Sequence, residues 1–160
     1  MPLTKIVSGG QTGVDRGALD AALDAGFPCG GWLPARRIAE DGPLPARYPL
    51  TELPGSDYEK RTLQNVLDSD GTAILYLGAL EGGTGLTCDN CLANGRPHEL
   101  IEAGSTPPAE AARRLAAFVR RHGISVLNVA GPRASKWPGA YDYARDTITR
   151  LLQVVAGRNG

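Results

Sequence analysis

The stretch LTKIVSGGQTGVDRGALDAALDAG, residues 3–26, decides the fold. Residues 3–7 are a short apolar run that breaks at Ser8-Gly9-Gly10. Beyond the break Val14, Ala18 and Ala22, with Leu19 and Leu23 beside them, recur at helical spacing. The pattern predicts a strand, a glycine turn and a helix. Gly26 stops the helix, because a left-handed cap position is open to a residue with no side chain.

The same unit repeats outward along the chain. Residues 27–32 predict a second short strand. Residues 33–56 hold Pro34, Pro43, Pro45, Pro49 and Pro54 without sustained periodicity, which predicts a long loop of the kind that usually carries function. Asp57 is placed to cap a helix through Leu67, with Tyr58, Leu63, Val66 and Leu67 on or near one face. Residues 72–77 predict a strand, Gly82-Gly83-Thr84-Gly85 a second glycine turn leading into a helix that ends near Gly95, and residues 97–101 another strand. Thr106 as N-cap and Pro107 at the first helical position open a helix through His122, closed by Gly123. Residues 124–129 are the fifth strand, 130–136 a third polar loop, and 139–155 the last helix. Such alternation predicts an α/β chain of three-layer, Rossmann-like type, one domain over residues 1–160. A mainly parallel sheet is flanked by helices, with ligands at the carboxyl ends of the strands.

Composition narrows the partners. The chain has 160 residues, 42% of them hydrophobic, enough for one sizeable core. Seventeen Lys and Arg balance seventeen Asp and Glu, so no overall field gathers nucleic acid or an anionic membrane. Apolar runs such as 73–77 are too short to cross a bilayer, and the polar start Met1-Pro2-Leu3-Thr4-Lys5 has no signal-peptide character; a cytoplasmic protein is expected. Cys29, Cys88 and Cys91 cannot all pair, and reduced thiols are expected. Cys88 and Cys91 are spaced CxxC, but without a second such pair and with His98 and His122 in ordinary contexts no metal site is expected. The alternative is one exposed thiol, Cys29 or Cys88, against a soft metal centre.

Three polar loops should converge at one sheet edge: Ser8-Gly9-Gly10-Gln11-Thr12-Gly13, residues 78–87 and residues 130–136. Glycine lets backbone N–H groups approach an oxyanion, and the helix that follows adds about half a positive charge, so a phosphate is the natural occupant. A glycine pair after a strand is otherwise a plain tight turn. Arg16, Arg133 and Lys136 are placed to clamp an oxyanion, their other reading being solvated charge. Asp15 is either a helix-dipole partner or a group holding a ligand amine or hydroxyl. Asp89 is a helix-start charge or, in a hydrolase, the carboxylate that orients a sugar hydroxyl or polarises water.

Ser8 to Asp20 as written above closely resembles the opening of the molybdenum-cofactor carrier family, related to the lysine-decarboxylase-like, LOG-type (SLOG) nucleotide-binding Rossmann proteins. Gly30-Gly31-Trp32, Ala39-Glu40-Asp41-Gly42-Pro43, Arg47-Tyr48-Pro49-Leu50, Gly82-Gly83-Thr84 and Asn128-Val129-Ala130-Gly131-Pro132-Arg133-Ala134-Ser135 extend the resemblance over nearly the whole chain. It implies binding and protective storage of molybdenum cofactor (molybdopterin), or of a related nucleotide, through its phosphate. The residues expected at that ligand are Gly9, Gly10, Gln11, Thr12, Gly13, Asp15, Arg16, Gly82, Gly83, Thr84, Gly85, Thr87, Gly131, Arg133, Ser135 and Lys136, with residues 33–56 folding over the pterin as a lid. The second loop also looks like the GGxGTxxE signature of the phosphoribohydrolase relatives, with Gly82, Gly83, Gly85 and Asp89 on its glycines and acid. Leu86 stands where that signature has threonine, Thr87 is one place late, and Asp89 is a methylene shorter than glutamate. Leu33 follows Trp32 where the family commonly has cysteine, which weakens a thiol ligand for molybdenum. The alternatives are therefore a hydrolase of nucleoside monophosphates, using Asp89, and a nucleotide sensor. A homodimer or homotetramer is expected, through the face bearing Leu63, Val66 and Leu67.

Overall fold

A computed structural model describes residues 3–55 and 57–157. Met1 and Pro2 of the polar start, Ser56 of the proline-rich segment and residues 158–160 lie outside them. The expected opening unit is present: β1 (Lys5–Val7), a glycine turn, and α1 (Val14–Asp24), after which Gly26 takes φ +64°. β2 (Cys29–Gly30) follows, but the expected strand over 27–32 breaks there. Gly31, at φ +134°, lies so close over Ser8 that an added Cβ would stand 2.1 Å from the Ser8 carbonyl oxygen. The chain turns away, and β3 (Trp32–Leu33) leaves the main sheet.

The proline-rich segment is not a featureless loop. It contains a 3-10 turn (Ala35–Arg37), a two-residue hairpin of β4 (Ile38–Ala39) and β5 (Gly42–Pro43), and β6 (Thr51–Glu52), which pairs parallel with β3. Leu33, Leu44, Tyr48 and Leu50 form a small core with Leu19 of α1. The Arg37 guanidinium ties the segment together, donating to the carbonyls of Leu50 at 2.7 Å, Tyr48 at 3.1 Å and Pro45 at 3.2 Å. Asp20 of α1 accepts from the hydroxyls of Tyr48 and Tyr141, pinning the segment to the helical layer.

The remaining elements are α2 (Tyr58–Leu67), β7 (Gly71–Tyr76), α3 (Gly82–Ala93), β8 (His98–Glu102), α4 (Pro108–His122), β9 (Val126–Ala130) and α5 (Ala140–Gly157). Asp57 caps α2 by accepting from the Lys60 N–H at 2.9 Å, and Gly123 closes α4 in the left-handed conformation, both as expected. The start of α4 is corrected. Pro107, not Thr106, is the N-cap, because a residue preceding proline is driven extended and Pro108 follows it. β9 starts two residues later than expected, the N–H groups of Ser125 and Val126 being taken by the Asp70 carboxylate.

The main sheet has the order β2-β1-β9-β7-β8, every pair parallel. α1, α4 and α5 pack together against one face, where Ile6, Ala73, Leu75, Leu127 and Val129 meet Val14, Ala18, Leu115, Phe118, Ile148 and Leu151. α2 and α3 pack together on the other. This is the expected three-layer α/β arrangement. Because side chains alternate along a strand, Asn128 between Leu127 and Val129 points to the second face. There it donates to Thr72 at 3.3 Å and, with Thr62, Asn65 and Thr87, lines a polar cavity of about 20 Å³. The stripe expected for self-association is partly consumed by this packing: Val66 is fully buried and Leu63 and Leu67 are half-buried. No helix among the described residues is long and apolar enough to cross a membrane.

Numbered from β7 and continued through the chain start, the strands lie across the sheet as 2-1-3-4-5, the doubly wound order whose switch point falls between its first and third strands. Here that point is between β7 and β9.

Candidate functional site

The three polar loops do converge. Beyond the carboxyl ends of β7 and β9 opens a crevice of about 410 Å³, lined by Gln11 from the first loop, Gly82, Gly83 and Thr84 from the second, and Gly131, Pro132, Arg133 and Lys136 from the third. Tyr58, Leu77, Ala79, Glu81 and Trp137 complete its wall. Leu77 and Tyr58 present exposed hydrophobic surface there, at 48% and 38%.

Gly82 and Gly83 do not precede a helix; they are its first turn, since α3 begins at Gly82. Its N-cap residue, Glu81, is extended and no side chain among the described residues caps the helix, so the N–H groups that have no partner inside a first turn face the crevice end. An added Cβ on Gly83 would stand 2.1 Å from the Tyr58 hydroxyl oxygen, so the missing side chain lets the ring lie against the helix start. Thr84 is buried on the crevice wall. Gly85 faces the Leu80 backbone, and Thr87 donates to the Gly83 carbonyl at 3.0 Å beside the small polar cavity. Asp89 is exposed on α3 and is absent from the crevice lining.

The first loop is built differently from the sequence expectation. Its glycines make room for the chain itself. Gly9 is filled by the Arg61 guanidinium, Gly10 (φ +79°) lies over Leu33, Leu44 and Leu50, and Gly13 (φ +82°) abuts Pro132 and Arg133. Several of its N–H groups are already engaged, Gln11 with Asp15 at 3.2 Å, Thr12 with the Gln11 side-chain oxygen at 3.1 Å, and Val14 with the Pro132 carbonyl at 3.2 Å. Arg16 turns from the crevice to Asp41, at 3.0 and 3.1 Å, and to the Gly10 carbonyl at 3.2 Å. Asp15 is buried at 5% exposure and paired with buried Arg61 at 3.8 Å. Burial pushes its carboxyl up to about 6, against the pull of Arg61 and of the Gln11 N–H.

A carboxylate occupies the groups the third loop was expected to offer an anion. Glu40, at the turn of the β4–β5 hairpin, accepts from the Thr12 hydroxyl, from the Ser135 hydroxyl at 2.7 Å and from the Ser135 N–H at 3.2 Å, and lies 3.3 Å from the Arg133 guanidinium. Partial burial acts to raise its pKa, but the hydrogen bonds from Thr12 and Ser135 outweigh it and hold the group below the ordinary carboxylate range. Lys136 is exposed on the crevice rim. Sequence reading assigned no role to Arg61, Glu81 or Trp137, and read Glu40 and Asp41 only as part of a resemblance. Two adjacent acids inside a proline-flanked turn were the signal available for the last two.

Cys88 and Cys91 are buried, at 8% and 0%, so Cys88 cannot serve as an exposed thiol; Cys29 is half-buried. Among the described residues no group of three His, Cys, Asp or Glu gathers as a metal would require.

The model of the circularly permutated YpsA SLOG family matches residues 6–152. The crystal structure of Putative molybdenum carrier protein from Syntrophus aciditrophicus SB superposes with a TM-score of 0.91 at 46% identity, over 94% of this chain and 96% of that one. A LacI family transcriptional regulator from Arthrobacter sp. FB24 gives a TM-score of 0.38 at 14% identity, over 96% of this chain and 72% of that one, too loose to bear on fold or function. No curated protein matches. The sheet reads in the doubly wound order when β1 and β2 are counted after β9. The chain belongs to the circularly permutated YpsA SLOG family.

Proposed function

We propose that this protein binds a phosphate-bearing small molecule of the molybdenum-cofactor (molybdopterin) type, shields it and hands it on. The observation that carries the reading is the uncapped start of α3, which opens at the topological switch point into a crevice with Arg133 and Lys136 on its wall. A phosphate on the N–H groups of Gly82, Gly83 and Thr84 leaves a planar ring system the surfaces of Tyr58, Leu77 and Trp137. The Syntrophus relative, 46% identical over nearly the full chain, is named Putative molybdenum carrier protein, which supports a molybdenum-containing ligand.

Hydrolysis of a nucleoside monophosphate is the weaker reading, because its carboxylate, Asp89, stands off the crevice. The experiment is titration with molybdenum cofactor and with AMP under anaerobic conditions, following release of free base. Arg133→Ala should weaken binding about ten- to hundredfold, as for loss of a charge-assisted hydrogen bond, and Asp89→Asn should leave it unchanged. Steady base release that vanishes in the Asp89 variant would overturn the carrier reading.

A further inference from the structure

The Glu40 carboxylate is seated where an external anion would be expected. Its donors come from two strand ends, the Thr12 hydroxyl from the first loop and the Ser135 N–H, Ser135 hydroxyl and Arg133 guanidinium from the third. A hydroxyl pair, a backbone N–H and a guanidinium form the kind of donor set that holds phosphate and carboxylate alike. The seat is shallow. The side chains of Glu40 and Arg133 are 25% and 42% exposed, so exchanging the carboxylate for another anion disturbs no core.

The segment that delivers Glu40 is slight. β4 and β5 are two residues each, and Ile38 on the hairpin is 47% exposed. The chain enters it through Arg36 and Arg37 at φ 71° and 55°, a left-handed pair costly for residues other than glycine. Its tip is tethered by polar contacts: Glu40 as above, Asp41 to Arg16, and the Glu40 N–H to the Gln11 side-chain oxygen at 2.7 Å. Gln11 and Arg133 also line the crevice, so a ligand there meets two of the groups that hold the hairpin.

We propose that the cup of Thr12, Arg133 and Ser135 is an oxyanion site that the chain keeps filled with its own Glu40, so that an anionic ligand gains it only by displacing the hairpin tip. The inference rests on the binding role proposed above and adds to it a second anion seat, beside the one at the start of α3, with an internal competitor. A site filled by its own carboxylate nine-tenths of the time binds about tenfold more weakly than the open site.

The test is calorimetric titration of wild type, Glu40→Gln and Asp41→Asn with inorganic phosphate, with AMP and, under anaerobic conditions, with molybdenum cofactor, together with hydrogen exchange over residues 38–43. Glu40→Gln should bind inorganic phosphate about tenfold more tightly, Asp41→Asn should shift it the same way by less, and phosphate should increase exchange in the wild-type hairpin. Equal or weaker binding by Glu40→Gln, with the Asp41 variant also unchanged, overturns the inference and leaves the carrier reading standing if wild type still binds. Tighter phosphate binding by Glu40→Gln, with no binding of AMP or molybdenum cofactor by any form, supports the cup and ends the carrier reading. Absence of binding by every form to every probe overturns both.

Discussion

The Arg61 guanidinium lies under Gly9, with its Nη1 atom 1.5 Å from where a Cβ on that glycine would stand. Arg61 is 5% exposed, stacks over the Tyr58 ring at 4.5 Å and faces Asp15, so it has little room to withdraw. Gly9→Ala should displace it and strand a buried charge pair, costing about 2–4 kcal/mol of stability. Urea denaturation of the variant checks this. Wild-type stability would mean that Arg61 moves freely.

Asp15 makes part of the stability pH-dependent. Its pKa is about 6 in the folded chain against 3.8 for the ordinary group. Below that ordinary value both states hold the proton and nothing is lost. As pH rises from about 4 to about 6 the unfolded chain releases its proton first, so stability falls across this window, by on the order of 3 kcal/mol, and is level above it. Thermal melts between pH 4 and 7 should show the decline in wild type and its loss in Asp15→Asn.

Gly83 separates binding from stability. Alanine there favours the helix by about 0.5–1 kcal/mol but pushes the Tyr58 ring, 38% exposed, toward the crevice. Gly83→Ala should melt within a few degrees of wild type while binding AMP about tenfold more weakly. A parallel loss of both would identify Gly83 as a packing residue only.

Much of this fold is legible in the sequence because the signals are local. Residues 14–24 carry their helix in the spacing of Val14, Ala18 and Ala22, and Gly26 and Gly123 mark helix ends by what a left-handed position tolerates. The segment 33–55 is not legible, because its order comes from Arg37 reaching three distant carbonyls and Tyr48 reaching Asp20, contacts that leave no periodicity. The site divides the same way. Convergence of the three loops follows from alternation of strand and helix. The use of Gly9, Gly10 and Gly13 to admit Arg61, three leucines and the Pro132 backbone depends on neighbours remote in sequence. The permuted order is hidden for a related reason: a sequence shows which strand comes first, and the sheet decides which two flank the switch point.

The central claim is tested most directly by a crystal structure of the protein with molybdenum cofactor bound, grown under anaerobic conditions. The account expects the phosphate within about 3 Å of the backbone N–H groups of Gly83 and Thr84, at the start of α3, with the pterin in the crevice beside Tyr58 and Trp137. A phosphate held instead by the Gly9 to Gly13 backbone, or a cofactor bound outside the crevice, would contradict it.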